Sequence, residues 1–269
     1  MAATSWLQAQ SLKVMSYNIR YDNGGDGINQ WSNRKEKVAK IIRENNPDLI
    51  GLQEALDHQL KELLVLLPDY TSYGVGRDDG KEKGEFSAIL VRHSRFGVIK
   101  DSTFWLSETP DIAGSKGWDA QLPRVATWTE LYDRDNKKEI LYINTHFDHV
   151  GKQARTNSAI LINDFLADHY KKKNLVLVMS GDLNVERDTE AFKVLTETKL
   201  MLDSKPEDDH HPTFCGFEVS NTKCVAIDYI FHSKEAYVKS YYVLRDNDGK
   251  NYPSDHLPVI AELEFIEKN

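Results

Sequence analysis

Cysteine is scarce in this chain, with Cys215 and Cys224 the only two in 269 residues. Two cysteines cannot supply the dense disulfide framework on which small secreted domains rely, and they lack the paired spacing of a zinc finger. The residues between them, GFEVSNTK, read as a hairpin with a Ser-Asn turn. A cross-strand disulfide there would imply an oxidising compartment and two free thiols a reducing one, and the sequence leaves both open. Long apolar runs are missing too, since no stretch approaches the roughly 20 residues that a membrane span requires. The first ten residues, MAATSWLQAQ, carry neither a basic region nor an apolar core of signal-peptide type. A soluble protein is expected, either cytoplasmic or exported after loss of a signal peptide. Positive charge is in deficit, 34 Lys plus Arg against 42 Asp plus Glu for a net charge of −8. That balance argues against a basic surface tracking nucleic acid, although a locally basic cleft remains compatible with it. Neither a Gly-x-Ser-x-Gly elbow nor a Gly-x-x-x-x-Gly-Lys-Ser/Thr loop occurs, so serine-hydrolase and P-loop chemistry have no support. Fixed-period repeats and low-complexity linkers are also absent.

What is present is an ordinary globular balance, 40% hydrophobic and 28% charged. The spacing predicts a strand over LKVMSYNIR ending near Asn18. A helix follows, with Asn33 and Glu36 as a capping box and a stop before Pro47. DLIGLQE reads as a buried strand closing on Glu54, and about Asp57 to Leu67 as a second amphipathic helix. FSAILVR, GVIKDSTFWL and RVATWTELYD are strands, and DRDNKK is a hairpin loop leading into EILYINTHFDH. Gln153 to Lys173 then forms a helix, and NLVLVMSGDLN is the clearest buried strand. A short helix near Asp188 to Thr198 precedes the strands VAIDYIFH and LPVIAELEFIE. Too many strands for too few helices predicts a single domain of two packed sheets with helices outside.

Polar residues gather where these apolar strands end: Asn18, Glu54, Asn144 with His146, Asp182 with Asn184, Asp228, and Asp255 with His256. Strand ends converge at one edge of a layered α/β protein, so these positions form one candidate pocket. Glu54 and Asn18 are hard oxygen donors suited to magnesium. Asp182 and Asn184, two apart, would point to one side of an extended strand, the first to take a proton from water and the second to orient it. Asp228 is the candidate to fix the tautomer of His256. His146, Asp148 and His149 raise a zinc alternative, but zinc wants three or four His, Cys or carboxylate ligands. His146 is therefore assigned to phosphate, with Asp148 and His149 left open. Arg124 is a candidate phosphate anchor, with a structural ion pair as the other reading. Trp31, in the glycine-rich segment YDNGGDGINQW, could stack on a base or sugar or could staple the following helix.

MSYNIR, LQE, NTHFDH, SGDLN, IDYIF and SDHLP, in that order over nearly the whole chain, resemble the endonuclease/exonuclease/phosphatase superfamily. The resemblance implies an α/β four-layer sandwich, with two central mixed β-sheets flanked by helices, over residues 12–269 after an N-terminal extension of 1–11. It also implies a Mg2+-dependent phosphoesterase, with Mn2+ able to substitute, that drives an activated water in line onto phosphorus. By the same resemblance, Asn18 and Glu54 are metal ligands with Asp255 near the metal, and Asp182 and Asn184 activate and orient the water. His146 and Asn184 contact phosphate, and Asp228 orients His256. Asp182 is taken as the base and His256 as a charged stabiliser, the reverse being the competing assignment. The expected substrate is a small or lipid-derived phosphoester. A nuclease or deadenylase is the alternative, and a catalytically silent binding protein is a third reading. Specificity is expected from Tyr21 to Trp31, Asp78 to Glu85 and Ser107 to Gln121.

Overall fold

Strands buried on both faces read as continuous apolar runs, and four of them organise the molecule. They are β1 (Leu12–Asn18), β2 (Leu49–Ala55), β7 (Lys138–His146) and β8 (Val176–Asp182). The structure, a computed structural model, describes residues 11–173 and 175–266. Apart from Ser11, the expected N-terminal extension lies outside the described residues.

β1 and β2 run parallel, joined by helix α1 (Trp31–Asn45), and β7 and β8 run parallel, joined by α3 (Lys152–Lys173). A parallel pair needs such a crossover, and the helix it introduces covers one face of the sheet. The first sheet is completed by β3 (Tyr70–Tyr73), β4 (Phe86–Arg92), β11 (Ala236–Val243) and β12 (Val259–Phe265), in the order β11-β12-β1-β2-β4-β3. The second adds β5 (Phe96–Trp105), β6 (Val125–Asp133), β9 (Leu202–Asp203) and β10 (Asp228–His232), in the order β5-β6-β7-β8-β10-β9. All other neighbours pair antiparallel, so both sheets are mixed.

Three apolar clusters define four layers. α1 and α2 (Asp57–Leu66) pack on the first sheet through Trp31, Val38, Ile42 and Leu63. α3 and α4 (Glu190–Glu197) pack on the second through Ile162, Leu166 and Leu195. Val14, Leu49, Ile89, Tyr142, Val178 and Ile230 fill the space between the sheets. Among the described residues, no helix is long and apolar enough to cross a membrane.

One polar seam crosses this inter-sheet core, and it reassigns Asn144. Its Nδ2 donates to the carbonyls of Leu52 and Ala88, both at 2.9 Å, and its Oδ1 accepts from Gln53 Nε2 (2.7 Å) and Ser180 Oγ (3.0 Å). Three of these bonds cross to the first sheet and the fourth holds the neighbouring strand β8, so every hydrogen-bonding position of the amide is used and Asn144 holds the fold without facing the pocket. The seam needs Gly51: a Cβ there would stand 2.1 Å from Ser180 Oγ and 2.4 Å from Asn144 Oδ1.

Other expectations change in detail. α1 starts at Trp31 with no side-chain cap, and Asn33 Nδ2 instead donates back to the Ile28 carbonyl, so the capping box is not formed. Trp31 is buried and its Nε1 donates to Glu62, so it staples the helix and is not available to stack on a ligand. The helix ends at Asn46, a left-handed cap just before Pro47. Cys215 and Cys224 form a disulfide. The segment they close is an irregular loop with a turn at Glu218–Asn221, not a regular hairpin. Phe214 and Val225 pair across its base, and Glu218 within it pairs with Asn251.

Candidate active site

Each sheet contributes its strand ends to one edge. In the second sheet, His146 and Asp228 lie in register on either side of Asp182, so three functional groups are cross-strand neighbours. In the first sheet, Asn18 ends β1 next to the bulge that carries Glu54, whose positive φ of 62° turns its side chain out of the ladder. Face-to-face packing then brings the two edges together. Asn18 Nδ2 lies 3.1 Å from Glu54 Oε1, 2.9 Å from Asp182 Oδ2 and 3.3 Å from His256 Nε2.

The loop carrying Asp255 and His256 is anchored by a residue that the sequence reading did not select. Arg34, on the buried stripe of α1, donates to the carbonyls of Ile19 (2.7 Å), Pro253 (2.9 Å) and Arg20 (3.1 Å). One guanidinium therefore ties the end of β1 to the histidine loop. The available signal was an arginine on a helix face otherwise made of Trp31, Val38 and Ile41. Ser254 adds a second tie, its Oγ donating to the Asn18 carbonyl at 2.8 Å.

His256 Nδ1 sits 2.9 Å from Asp228 Oδ2, and Nε2 sits 3.6 Å from Asp182 Oδ2. Burial alone would lower its pKa, but Asp228 and Asp182 outweigh burial and raise it well above the usual histidine value. A charged His256 therefore directs Nε2–H at Asp182, and Asn18 serves as donor to the two carboxylates. Asp182 is 1% exposed, and burial followed by the neighbouring Asp228 pushes its carboxyl up to about 7. His256 and hydrogen bonds from Asn18 and the Asn184 backbone limit that rise. His146 goes the other way: burial, then the Arg124 and Arg77 guanidinia, lower it well below its ordinary value.

Asn184 reaches the site differently from the sequence expectation. β8 ends at Asp182, and Asn184 adopts φ +50°, so a turn and not extended backbone puts both on one side. Its N–H donates to Asp182 Oδ1 at 3.0 Å, and its Nδ2 lies 3.0 Å from both His146 Nε2 and the Phe147 carbonyl. His146 thus faces Asn184. Arg124 is buried, with Nε 3.4 Å from Asp148 and Nη2 2.9 Å from His149 Nδ1. Asp148 accepts backbone N–H groups from Leu122, Val150 and Gly151, so its oxygens shape the turn. Arg77 and Glu85, paired through two bonds of 2.6 and 2.8 Å, complete this wall. Arg77 Nε, Arg124 Nη1 and His146 Nδ1 are buried here without a hydrogen-bond partner among the described residues. The cleft encloses about 630 Å³ and is lined by Glu54, Asp182, Asn184, Asp255 and His256 among others.

Two donor sets could hold a cation. Glu54 and Asp255 offer oxygens on either side of the Arg20 guanidinium, whose Nη1 lies 3.9 and 3.8 Å from them, so their carboxylates already converge on positive charge. These all-oxygen donors fit a hard ion such as magnesium. Asn18 as oriented presents its NH2 to Glu54 and its Oδ1 to the Arg20 N–H (3.0 Å), so it would join that set with its amide flipped. Ligand atoms of Asp182, Asp228 and His256 lie within 4.8 Å of one another. In that second set, Asp228 Oδ2 is already engaged by His256.

Residues 15–256 match the Endonuclease/Exonuclease/phosphatase family, and the chain belongs to it. Members of this family are metal-dependent hydrolytic phosphoesterases. The chain is 38% identical to an endonuclease/exonuclease/phosphatase family protein of Bacteroides thetaiotaomicron, with a TM-score of 0.91 over 97% of this chain and all of that one. It is 39% identical to a mannosyl-6-phosphatase of the same species, with a TM-score of 0.89 over 95% of this chain and all of that one. The human Nocturnin catalytic domain, 20% identical with a TM-score of 0.76 over 97% of this chain and 95% of that one, shares the fold.

Proposed function

We propose that residues 12–269 form one catalytic domain that hydrolyses a small phosphoester, a phosphorylated sugar being the best-supported class, with Mg2+ as the ion. The observation that carries this reading is the meeting at Asn18 Nδ2 of Glu54, Asp182 and His256, which come from three separate parts of the chain. The sugar-phosphate class is supported by the 39% identity to a mannosyl-6-phosphatase. The net charge of −8 adds no argument for a nucleic-acid track.

A carboxylate whose pKa stands near 7 is matched to general-base work at neutral pH. Asp182 takes the proton of the attacking water, and Asn184, its NH2 braced by His146 and the Phe147 carbonyl, orients that water through its amide oxygen. His256, held charged by Asp228, places positive charge against the negative charge that develops on phosphorus. Arg124 contributes a buried guanidinium to the same wall. A magnesium ion on Glu54 and Asp255, with Asn18, would polarise the phosphoryl oxygens and lower the pKa of water.

Phosphate release from mannose 6-phosphate, measured in EDTA and again after excess Mg2+, tests the reading. Activity should vanish in chelator and return with the ion, with Mn2+ also restoring it. Undiminished turnover in EDTA would remove the metal from the mechanism. Cleavage of single-stranded DNA or RNA without sugar-phosphate turnover would move the substrate class to nucleic acid.

A further inference from the structure

His149 is exposed on the rim of the cleft, and none of the roles above uses it. Its position is nonetheless built. After β7 the chain turns through Asp148, whose carboxylate collects the N–H groups of Val150 (3.0 Å), Gly151 (2.8 Å) and Leu122 (3.3 Å). Asp119 fastens the preceding loop to the same turn, accepting from the backbone of Gln153 (3.2 Å) and Ala154 (2.6 Å) at the start of α3. The approach is so close that a Cβ on Gly151 would stand 2.6 Å from Asp119 Oδ1. Gln121, Leu122, Arg124 and His149 are therefore one preformed wall of the cleft.

Arg124 also settles the chemistry of the imidazole. Its Nη2 lies 2.9 Å from His149 Nδ1, and a guanidinium has donors but no acceptor. Nδ1 must be the bare nitrogen, so Nε2 carries the hydrogen and is the ring's remaining hydrogen-bonding atom. Burial and Arg124 both lower the pKa of the ring, in keeping with a neutral donor. Full charges on His256, Arg124 and the metal set suit a phosphate. A neutral N–H beside a neutral Gln121 amide suits a hydroxyl.

Resting on the hydrolase reading above, we propose that this wall is a leaving-group subsite. In it, His149 Nε2–H donates to a hydroxyl of a polyhydroxylated alcohol and sets a preference for phosphorylated sugars over apolar phosphoesters. A site built to bond a hydroxyl discriminates against the analogue lacking it, because the donor is then left unpaired.

The test compares mannose 6-phosphate with cyclohexylmethyl phosphate, which has a six-membered carbocycle and the same primary leaving oxygen but no hydroxyls. Wild type in Mg2+ should favour the sugar ester in kcat/KM. His149→Ala should lose roughly tenfold on the sugar ester, mainly in KM, and change less than about threefold on the cyclohexyl ester. His149→Phe, which keeps a ring but no donor, should behave alike. Equal losses on both esters would put His149 in the chemistry or the phosphate site and overturn the proposal, as would no loss on either. A wild-type enzyme that hydrolyses neither ester would overturn the small-phosphoester reading, and the subsite with it.

Discussion

Asp182→Asn separates the cost of this site from its use. The carboxyl is 1% exposed and its pKa stands at about 7 against 3.8 for a free aspartate, a rise of three units. At about 1.4 kcal/mol per unit, the ionised side chain destabilises the metal-free protein by on the order of 4 kcal/mol. An amide removes that penalty, which is already net of His256 and of the bonds from Asn18 and Asn184, but it turns an NH2 toward either the Asn18 Nδ2 donor or the Asn184 N–H, at a cost of about 2 kcal/mol. The balance favours the variant by about 2 kcal/mol, or several degrees in a domain of this size. In EDTA at pH 8, Asp182→Asn should therefore melt above wild type while its kcat in Mg2+ falls about a thousandfold. Because the folded pKa lies above the unfolded one, the penalty is absent below about pH 4 and grows as pH rises toward 7. It is constant beyond, and the variant's advantage should follow the same window. Scanning calorimetry across pH reads it directly. A variant that melts at or below wild type at pH 8, or that turns over normally, would refute the argument.

Asp228→Asn should remove the first of the carboxylates that raise His256, so the alkaline limb of kcat/KM should move to lower pH, and a limb that stays put would mean Asp228 does not set that charge. Gly51→Ala forces a Cβ to within 2.1 Å of Ser180 Oγ, so urea unfolding should show a loss of about 2–3 kcal/mol with the active-site residues unchanged.

Much of this arrangement was legible in the sequence because burial and function leave opposite marks on one strand. LKVMSYN and VLVMSGD are apolar until they reach the pocket edge, so the polar residue that interrupts each run, Asn18 or Asp182, announces the pocket. Asn144 breaks the same rule. It too interrupts an apolar run, but its partners are backbone carbonyls 56 and 92 residues away in sequence, and no local pattern separates a buried bridge from a strand tip. The spacing of Asp182 and Asn184 anticipated their proximity for an incomplete reason, since a left-handed residue brings them together where the strand has ended. Arg34, Arg77 and Glu85 belong to no motif at a strand end, so the sequence pattern does not single them out. Their role exists only once α1, the loop before β4 and the histidine loop share a wall.

The two sheets also account for the site's stability. Asp182, Asp228, Asp255 and Glu85 are nearly buried carboxylates, a grouping that a single sheet edge open to water would neither concentrate nor desolvate. Facing edges do both. Each edge therefore has to supply compensating donors from its own layer: Arg34 from α1 holds the His256 loop, while Arg77 and Arg124 stand by β4 and β6 against Glu85 and Asp148. Asp228 Oδ1 is buried without a partner among the described residues, so compensation is incomplete around the pair that charges His256. Incomplete compensation is what catalysis on a phosphoester requires, because a fully paired cluster would have no unspent field to place on the transition state. At the wall, Asp148 builds shape by pairing with three backbone N–H groups, while Arg124 Nη1 is left for a ligand. On the proposed mechanism, the mismatch at Asp182 and His256 falls where charge would have to move.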